Sequence, residues 1–348
     1  MEPSWRCRGG ERDPSVNVPP RLSVVIPSRN RAESLRRALL ALGGQRAHPG
    51  TFEVVVSLDG EDDPALPILE GFRAPYALRW LSRAHRGRAA ARNAGAAAAR
   101  GEILWFLDDD LAPAPTCATA HLRAHAGDGR RAVVGPVPIP DGGSPLAAYR
   151  GLGFAARHRR MVRGDYRLRP VDVYAGNLSL PRSIFRATGG FDESFDVYGH
   201  EDFELARRLL EDEVDLLYEP RAVAVQYYEK SARDLARDTV AEGRTAVRFA
   251  RKHPECLGDL PLAGYARRGG PERHVLGCLL VLDRWSGLPS AAVVAALAVL
   301  ERIAVAPKRF LDRAFDYLYW HGVNQELVAL GSRGGLSKRL AALRDASS

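Results

Sequence analysis

The hydrophobic positions in the first hundred residues form short β-branched runs separated by longer helical patterns. The runs predict four strands, at residues 22–27 (LSVVIP), 52–58 (FEVVVSL), 78–81 and 102–107 (EILWFL). The first helix is predicted to be capped by Asn30, with Glu33 completing a capping box, and the alanine-rich segment 87–100 favours a second helix. This alternation predicts an α/β fold with a doubly wound, mostly parallel sheet.

Three of these strands end at a proline or directly before an aspartate. Pro27, Asp59 and Asp108 stand where the first, second and fourth strands end. Because ligands bind beyond the carboxyl ends of parallel strands, we expect these three positions to border one crevice.

The pattern changes after residue 112. Segment 127–170 is rich in Gly, Pro and Arg, which predicts irregular loops around a short strand at 132–137. A strand or turn is predicted at 177–180, a helix at 201–211 and a strand at 222–228. About the last hundred residues are rich in helical patterns.

The composition is that of a globular protein, with 348 residues, 46% of them hydrophobic, and a formal charge of +8. The positive charge suits phosphate-bearing ligands, anionic membranes or acidic polymers, but arginine-rich coding explains it equally well. The four cysteines have no metal-site spacing, and residues 1–20 lack an apolar signal segment. We therefore expect a flexible leader over 1–20 and a cytoplasmic location.

Two acidic groups are candidates for chemistry. Asp108, Asp109 and Asp110 offer carboxylates to a divalent ion that neutralises a diphosphate leaving group, although an acidic turn or a helix cap has the same pattern. Glu201 and Asp202 begin a helix, where a carboxylate stays ionised and suits a general base. Acids also favour the first helical turn for structural reasons alone.

At this point the chain resembles family 2 glycosyltransferases, which have the GT-A fold. The matching segments occur in the family's order: VVIPSRNR (24–31), SLDG (57–60), GRAAARNAG (87–95), FLDDD (106–110), AGNLSLPRSIF (175–185), GGFDESF (189–195) and GHEDFELARRL (199–209). Each segment alone is weak, but seven in order are specific, and they span about two thirds of the chain.

The resemblance implies a role for each matching residue. The implied nucleotide-binding residues are Pro27, Arg29, Asp59, Arg92, Asn93, Asp108 and Asp109. Asp110 and Asp108 would bind the metal, Asp202 would be the general base, and Glu201 would orient the donor sugar or acceptor. The implied sugar and acceptor contacts are Asn177, Gly190, Asp192 and His200.

The resemblance also implies an activity and a domain organisation. A GT-A domain would span 21–230, with the nucleotide-sugar half ending near 112 and the acceptor half following, and a helical extension would span 231–348. The implied enzyme is an inverting, Mn²⁺- or Mg²⁺-assisted transferase that takes a sugar from a UDP-sugar in the favoured case. Its acceptor would be a glycan, a lipid-linked glycan or a small molecule, as in polysaccharide or natural-product synthesis.

The sequence departs from the family pattern at two positions. Many members have a metal-binding histidine after the strand that follows the acidic helix, where this chain has Gln226. A neutral amide oxygen is a weaker ligand, which puts metal affinity and metal choice in question. His200 precedes the Glu201–Asp202 pair and is either an acceptor contact or a structural residue.

The C-terminal region raises the question of a membrane. Segment 288–300 is strongly apolar but too short for the ~20 residues of a spanning helix. Segment 308–320 mixes basic and aromatic residues, which suits either a helix at a membrane surface or a helical bundle, and we favour the bundle. A peripheral contact with the inner face of the plasma membrane stays open.

Three rival functions explain part of the sequence. A nucleotidyltransferase also places carboxylates at strand ends, but the chain has no Gly-rich, Lys-bearing phosphate loop near its start. A basic protein that binds nucleic acid or acidic polysaccharide would leave Asp59 and the Asp triplet unexplained, so no nucleic-acid partner is expected. A GT-A protein that binds donor without catalysis is the third rival.

Overall fold

The computed structural model describes residues 5–7, 19–127, 129–140, 144–304, 307–332 and 334–345. The chain divides into two compact units. The first comprises Met1–Gly142, Arg150–Asp196 and Glu201–Tyr228, and the second comprises Gly143–Tyr149, Val197–His200 and Glu229–Ser348.

An eight-stranded sheet forms the first unit. Its strands are β1 (Trp5–Cys7), β2 (Leu22–Ser28), β3 (Phe52–Leu58), β4 (Ala77–Ser82), β5 (Ile103–Leu107), β7 (Arg131–Val134), β8 (Asn177–Pro181) and β9 (Asp215–Tyr218). They lie in the order β1-β4-β3-β2-β5-β8-β7-β9. A separate antiparallel pair joins β6 (Leu111–Pro113) to β10 (Ala224–Gln226).

The four predicted strands of the first half are confirmed as neighbours in one parallel block. Strands β4, β3, β2 and β5 pair in parallel, so their carboxyl ends share one edge. Strands β8 and β7 continue the sheet antiparallel to β5 and β8, respectively. The sheet is therefore mixed and mostly parallel.

Helices cover the sheet of the first unit. They are α1 (Ala32–Gly43), α2 (Leu66–Gly71), α3 (Arg88–Ala98), α4 (Cys117–Ala124), α6 (Arg182–Ala187) and α7 (Glu201–Glu211), with the part of α5 (Pro145–Met161) from Arg150 onward; residues 145–149 of α5 belong to the second unit. Alternate residues of β2 feed two separate cores, since Val24 packs in one apolar cluster and Val25 in the other. This burial on both faces explains the continuous apolar runs in the sequence.

Three expectations for this unit are wrong. Asn30 does not cap α1: it has a left-handed φ of 54°, its N–H donates to Asp63, and Arg31 occupies the cap position. The predicted loop region 127–170 contains the 17-residue helix α5, whose glycines and arginines hide a helical period. Within the predicted leader, β1 pairs with β4, while residues 1–4 and 8–18 lie outside the described residues.

The second unit is helical. It contains α8 (Ala232–Lys252), α9 (Gly270–Ser286), α10 (Leu288–Arg302), α11 (Lys308–Ala329) and α12 (Leu336–Asp345). Helices α8 and α11 pack closely at two glycines. A Cβ on Gly243 would collide with the backbone of Tyr319, and a Cβ on Gly322 would collide with the backbone of Val240. Glu326 of α11 accepts hydrogen bonds from Arg244 and Arg248 of α8.

Helices α9 and α10 are the most apolar pair of the chain. Among the described residues, no single helix is long and apolar enough to cross a membrane. Taken together, α9 and α10 meet that requirement by length and composition, but the chain bends by 98° between them.

Candidate functional site

Asp59 follows the carboxyl end of β3, and three hydrogen-bond donors contact its carboxylate. Its carboxylate is buried and accepts hydrogen bonds from His85 Nδ1 at 2.6 Å, Arg86 N at 2.8 Å and Gly87 N at 3.0 Å. Arg29, just beyond β2, donates to His85 Nε2 at 2.6 Å. Strand β2 also places Pro27 opposite Ser57. The predicted nucleotide-base residues therefore do come together at one sheet edge.

The Asp108–Asp110 segment, here called the acidic turn, links β5 to β6. Asp109 Oδ2 accepts a 2.7 Å hydrogen bond from Ser28 Oγ, at the end of β2. Arg31 Nη1 lies 3.0 Å from Asp109 Oδ1 and 3.1 Å from Asp110 Oδ2. The acidic turn is thus fixed to residues 28–31, the segment that contains the predicted nucleotide-binding residue Arg29.

Electrostatics differ along the acidic turn. Burial opposes ionisation of Asp108, but the guanidinium groups of Arg92 and Arg88 outweigh it and lower its pKa to about 2. Burial raises the pKa of Asp109 above its usual value, against the charge of Arg31. Burial disfavours the Arg31 cation, yet Asp109 and Asp110 raise the pKa of Arg31 above its usual value. Asp108 therefore stays a carboxylate at neutral pH.

Arg92 joins the two predicted halves of the site. Its Nη2 lies 2.8 Å from Asp108 Oδ1, and its Nη1 lies 2.9 Å from Glu201 Oε1 at the start of α7. The Arg92 side chain is only 2% exposed, and its guanidinium lies over the Phe191 ring at 5.3 Å. One buried cation thus holds the acidic turn and the α7 carboxylates in a single cluster.

Asp202 has the electrostatic character of a general base that works near neutral pH. Burial and the adjacent Glu201 carboxylate raise the pKa of Asp202 to about 7, against the opposing charge of Arg92. Its Oδ1 accepts a 3.0 Å hydrogen bond from Phe203 N. Glu201 Oε2 is buried without a hydrogen-bond partner among the described residues.

Asn93 builds the turn that carries Gly190 and Asp192. Its amide donates to Phe191 O at 2.8 Å and accepts from Phe191 N at 2.9 Å. Gly190 has a φ of 73°, and a Cβ there would stand 2.8 Å from Asn93 Oδ1. Asp192 Oδ1 in turn accepts from Ser194 N at 2.8 Å. The observed role of Asn93 is to shape this turn, and its predicted contact with the diphosphate stays a prediction.

Gln226, which stands where many family members have a metal-binding histidine, lies beside the acidic turn. Its Nε2 donates to Asp110 Oδ2 at 3.3 Å, and the next residue, Tyr227, donates its N–H to Asp110 O. Asp110 Oδ1 and Gln226 Oε1 are both buried without a hydrogen-bond partner among the described residues. Two unsatisfied oxygen atoms therefore belong to neighbouring side chains.

Asn177 and His200 have contacts of a different kind. Asn177 is fully buried, and its amide bonds to Trp105 Nε1, His121 Nε2 and the carbonyl of Ala222, so its polar atoms are occupied inside the fold. His200 belongs to the second unit, where its Nδ1 lies 2.9 Å from Thr245 Oγ1. Their predicted sugar and acceptor contacts stay predictions.

Two residues of this site were not singled out from the sequence. Arg31 pairs with carboxylates 78 and 79 positions away, and His85 lies 26 positions from Asp59. Arg31 is the last residue of the matching segment 24–31, and His85 lies two residues before the segment 87–95. Their position in or near those segments is the only signal of a role that the sequence offers. Their contacts join residues far apart in the chain, and such contacts depend on how the strands assemble.

The chain is similar to known glycosyltransferases in sequence. Residues 23–187 match a model described as glycosyl transferase family 2, and residues 156–230 match one described as the N-terminal domain of galactosyltransferase. A validoxylamine A glucosyltransferase of Streptomyces hygroscopicus subsp. limoneus is 30% identical over 69% of this chain and 58% of its own. A pre-mycofactocin glycosyltransferase of Mycobacterium tuberculosis is 32% identical over 70% of this chain and 51% of its own. The chain thus spans little more than half of these relatives.

A solved structure shares the fold. The mannosyltransferase PcManGT from Pyrobaculum calidifontis, in complex with GDP-Man and Mn²⁺, superposes with a TM-score of 0.58 at 19% identity. The superposition covers 89% of this chain and 88% of the other. At this identity, the likeness concerns the architecture.

Proposed function

We propose that this chain, which belongs to glycosyl transferase family 2 and has the GT-A fold, transfers a sugar from a nucleoside-diphosphate sugar to an acceptor hydroxyl. UDP-sugars are the favoured donors, and the anomeric configuration inverts in a single displacement. The proposal rests on the arrangement of the first unit, and the names of the relatives support its reaction class.

The bridge made by Arg92 is the observation that carries the proposal. Glycosyl transfer needs a group that stabilises the negative charge of the leaving diphosphate and a base that takes the proton of the acceptor. Asp108 follows β5 and Glu201 begins α7, and the Arg92 guanidinium contacts both. The candidate base, Asp202, is the next residue after Glu201. Through Arg92, the carboxylates proposed for the leaving-group side and for the acceptor side of the reaction contact the same buried cation.

The acidic turn fits a hard divalent cation, Mn²⁺ or Mg²⁺. Such ions bind one or two carboxylates and complete their coordination with substrate phosphates. No group of three or more His, Cys, Asp or Glu side chains placed to hold a metal occurs within the described residues. The unsatisfied oxygens of Asp110 and Gln226, with Asp108 nearby in sequence, form the candidate donor set. When bound there, the ion would supply charge neutralisation of the diphosphate.

The residues of the chain divide the remaining work. Asp59, with its surrounding donors, and the 27–31 segment would hold the base and ribose. As the acceptor oxygen bonds to the anomeric carbon and the bond from that carbon to the diphosphate breaks, Asp202 would accept the proton of the acceptor hydroxyl. Glu201, anchored through Oε1 with Oε2 left unsatisfied, would orient the sugar hydroxyls.

The acceptor is proposed as a glycan, a lipid-linked glycan or a small polyhydroxylated molecule. The name validoxylamine A glucosyltransferase supports a small acceptor. Reaction on the cytoplasmic side of the membrane is part of the same proposal.

Donor binding is expected to need both a divalent cation and Asp110. Isothermal calorimetry with UDP-, GDP- and dTDP-sugars, with and without Mn²⁺, measures it directly. We expect one nucleotide family to bind, and D110A to lose at least about tenfold in affinity in the presence of Mn²⁺. Glu61→Ala, an exposed change just beyond Asp59, is the matched control. Binding of no donor under any condition would overturn the proposal and favour a basic polyanion-binding protein.

The pH dependence should report Asp202. Because burial and Glu201 raise its pKa to about 7, kcat/KM is expected to fall as the pH decreases below about 7, since the protonated carboxyl cannot accept a proton. A profile between about pH 5 and pH 9 should show this acid limb in the wild type. A limb near pH 4, the range of an ordinary aspartate, would contradict a base whose pKa is raised by burial and by Glu201.

A further inference from the structure

The second unit exposes an apolar face that its own core does not use. On α9, only Leu276, Leu280 and Asp283 are buried, at the spacing of one helical face. The rest of the helix surface exposes five large apolar side chains, those of Val275, Leu279, Val281, Leu282 and Trp285. Trp285 is 83% exposed, and Leu288, at the start of α10, is 67% exposed. We call this surface the apolar face.

The bend between α9 and α10 is held in place by the buried carboxylate of Asp283. Asp283 Oδ1 accepts hydrogen bonds from Ser290 N at 3.0 Å and Ser290 Oγ at 2.9 Å. Asp283 Oδ2 lies 3.0 Å from Tyr317 Oη and 2.5 Å from His321 Nδ1, both on α11. Gly287 turns the chain with a φ of 66°. Trp285 and Leu288, both exposed, lie in the chain on either side of this turn.

The charges of the helices that carry and adjoin the apolar face, α9, α10 and the start of α11, are unbalanced. Arg273, Arg284, Arg302, Arg309 and Arg313 are exposed, and none forms an ion pair among the described residues. Three of the acidic side chains on these helices are engaged: Asp283 fixes the bend, Glu301 accepts from Ala232 N, and Asp312 pairs with Lys308 and Tyr149. Glu272, in the first turn of α9, is exposed. These five arginines against this one glutamate leave an excess of positive charge.

We propose that the apolar face and its surrounding arginines dock on an anionic lipid bilayer, with Trp285 and Leu288 inserted at the headgroup level. An exposed tryptophan suits the boundary between headgroups and acyl chains, and apolar burial together with cationic attraction is how interfacial helices bind. A second copy of this chain fits less well, because a two-fold interface would set the same unpaired arginines near one another. The inference does not depend on the proposed transfer reaction.

Vesicle flotation with the full chain tests this docking. We expect the wild type to float with vesicles of phosphatidylcholine and phosphatidylglycerol, to stay unbound with phosphatidylcholine alone, and to dissociate as salt rises. W285S/L288S should lose at least about tenfold in binding, because the inserted apolar area is gone. R309Q/R313Q should weaken binding most at low salt.

The controls separate docking from folding and self-association. L40S removes a comparably exposed leucine from α1 and should bind like the wild type. Thermal unfolding of each variant checks that these surface changes leave the fold intact. Absence of flotation with anionic vesicles, or equal flotation of W285S/L288S and wild type, would overturn the proposal. A wild-type dimer that W285S/L288S dissociates, without vesicle binding, would overturn it in favour of self-association.

Discussion

Asp202→Asn is expected to lower glycosyl transfer by about 10²–10⁴-fold, the usual contribution of a general base, while leaving donor affinity unchanged. The amide keeps the shape of the side chain but cannot take the proton of the acceptor. Release of nucleoside diphosphate in the presence of acceptor measures the rate, and calorimetry measures donor affinity. A variant with wild-type rate would exclude Asp202 as the base.

Unfolding measurements distinguish this loss from damage to the fold. Since the folded chain favours the protonated form of Asp202, its contribution to the free energy of unfolding falls as the pH rises between about 4 and 7. The neutral amide avoids that loss, so D202N should be at least as stable as the wild type above pH 7. Glu211→Gln, an exposed change at the end of α7, should leave both rate and stability unchanged.

Arg92→Met is expected to destabilise the fold by about 3–5 kcal/mol and to abolish activity. Methionine fills much of the space but leaves the partly buried Asp108 and the buried Glu201 without their shared cation. Urea unfolding measures the change in free energy of unfolding. Arg92→Lys should recover little, because one ammonium cannot reproduce the two-pronged contact of a guanidinium.

The control for this prediction is an arginine from the same segment. Arg86 lies 3.1 Å from Glu193, but its side chain is 64% exposed. An exposed pair of this kind contributes at most about 1 kcal/mol, so R86M should unfold close to the wild type. If R92M also stays within that margin, the bridge does not hold the cluster together.

The parallel block could be read from the sequence because its signal is local. Each of β2, β3, β4 and β5 is a short run buried on both faces, and the polar residue that follows it is a neighbour in the chain. Asp59 and Asp108 were placed correctly at one sheet edge for this reason. The helix α7, with its acids in the first turn, was equally legible.

The contacts that assemble the site were not legible, because they join distant positions. Arg92 reaches Glu201 across 109 residues, and Gln226 reaches Asp110 across 116. No local pattern indicates that Arg92 would bridge two carboxylates or that Asp110 would keep one oxygen unsatisfied. Helix α5 was missed for another reason, since its glycines and its run of arginines obscure the apolar period.

The anomeric outcome of the reaction tests the central claim most directly. The wild type would be incubated with the donor that binds and with a simple acceptor alcohol or water, and NMR would report the configuration of the transferred or released sugar. We expect release of nucleoside diphosphate together with a sugar of inverted configuration, and formation of both products at least about 10²-fold more slowly with D202N. Retention of configuration, or no turnover of any bound donor by the wild type, would contradict it.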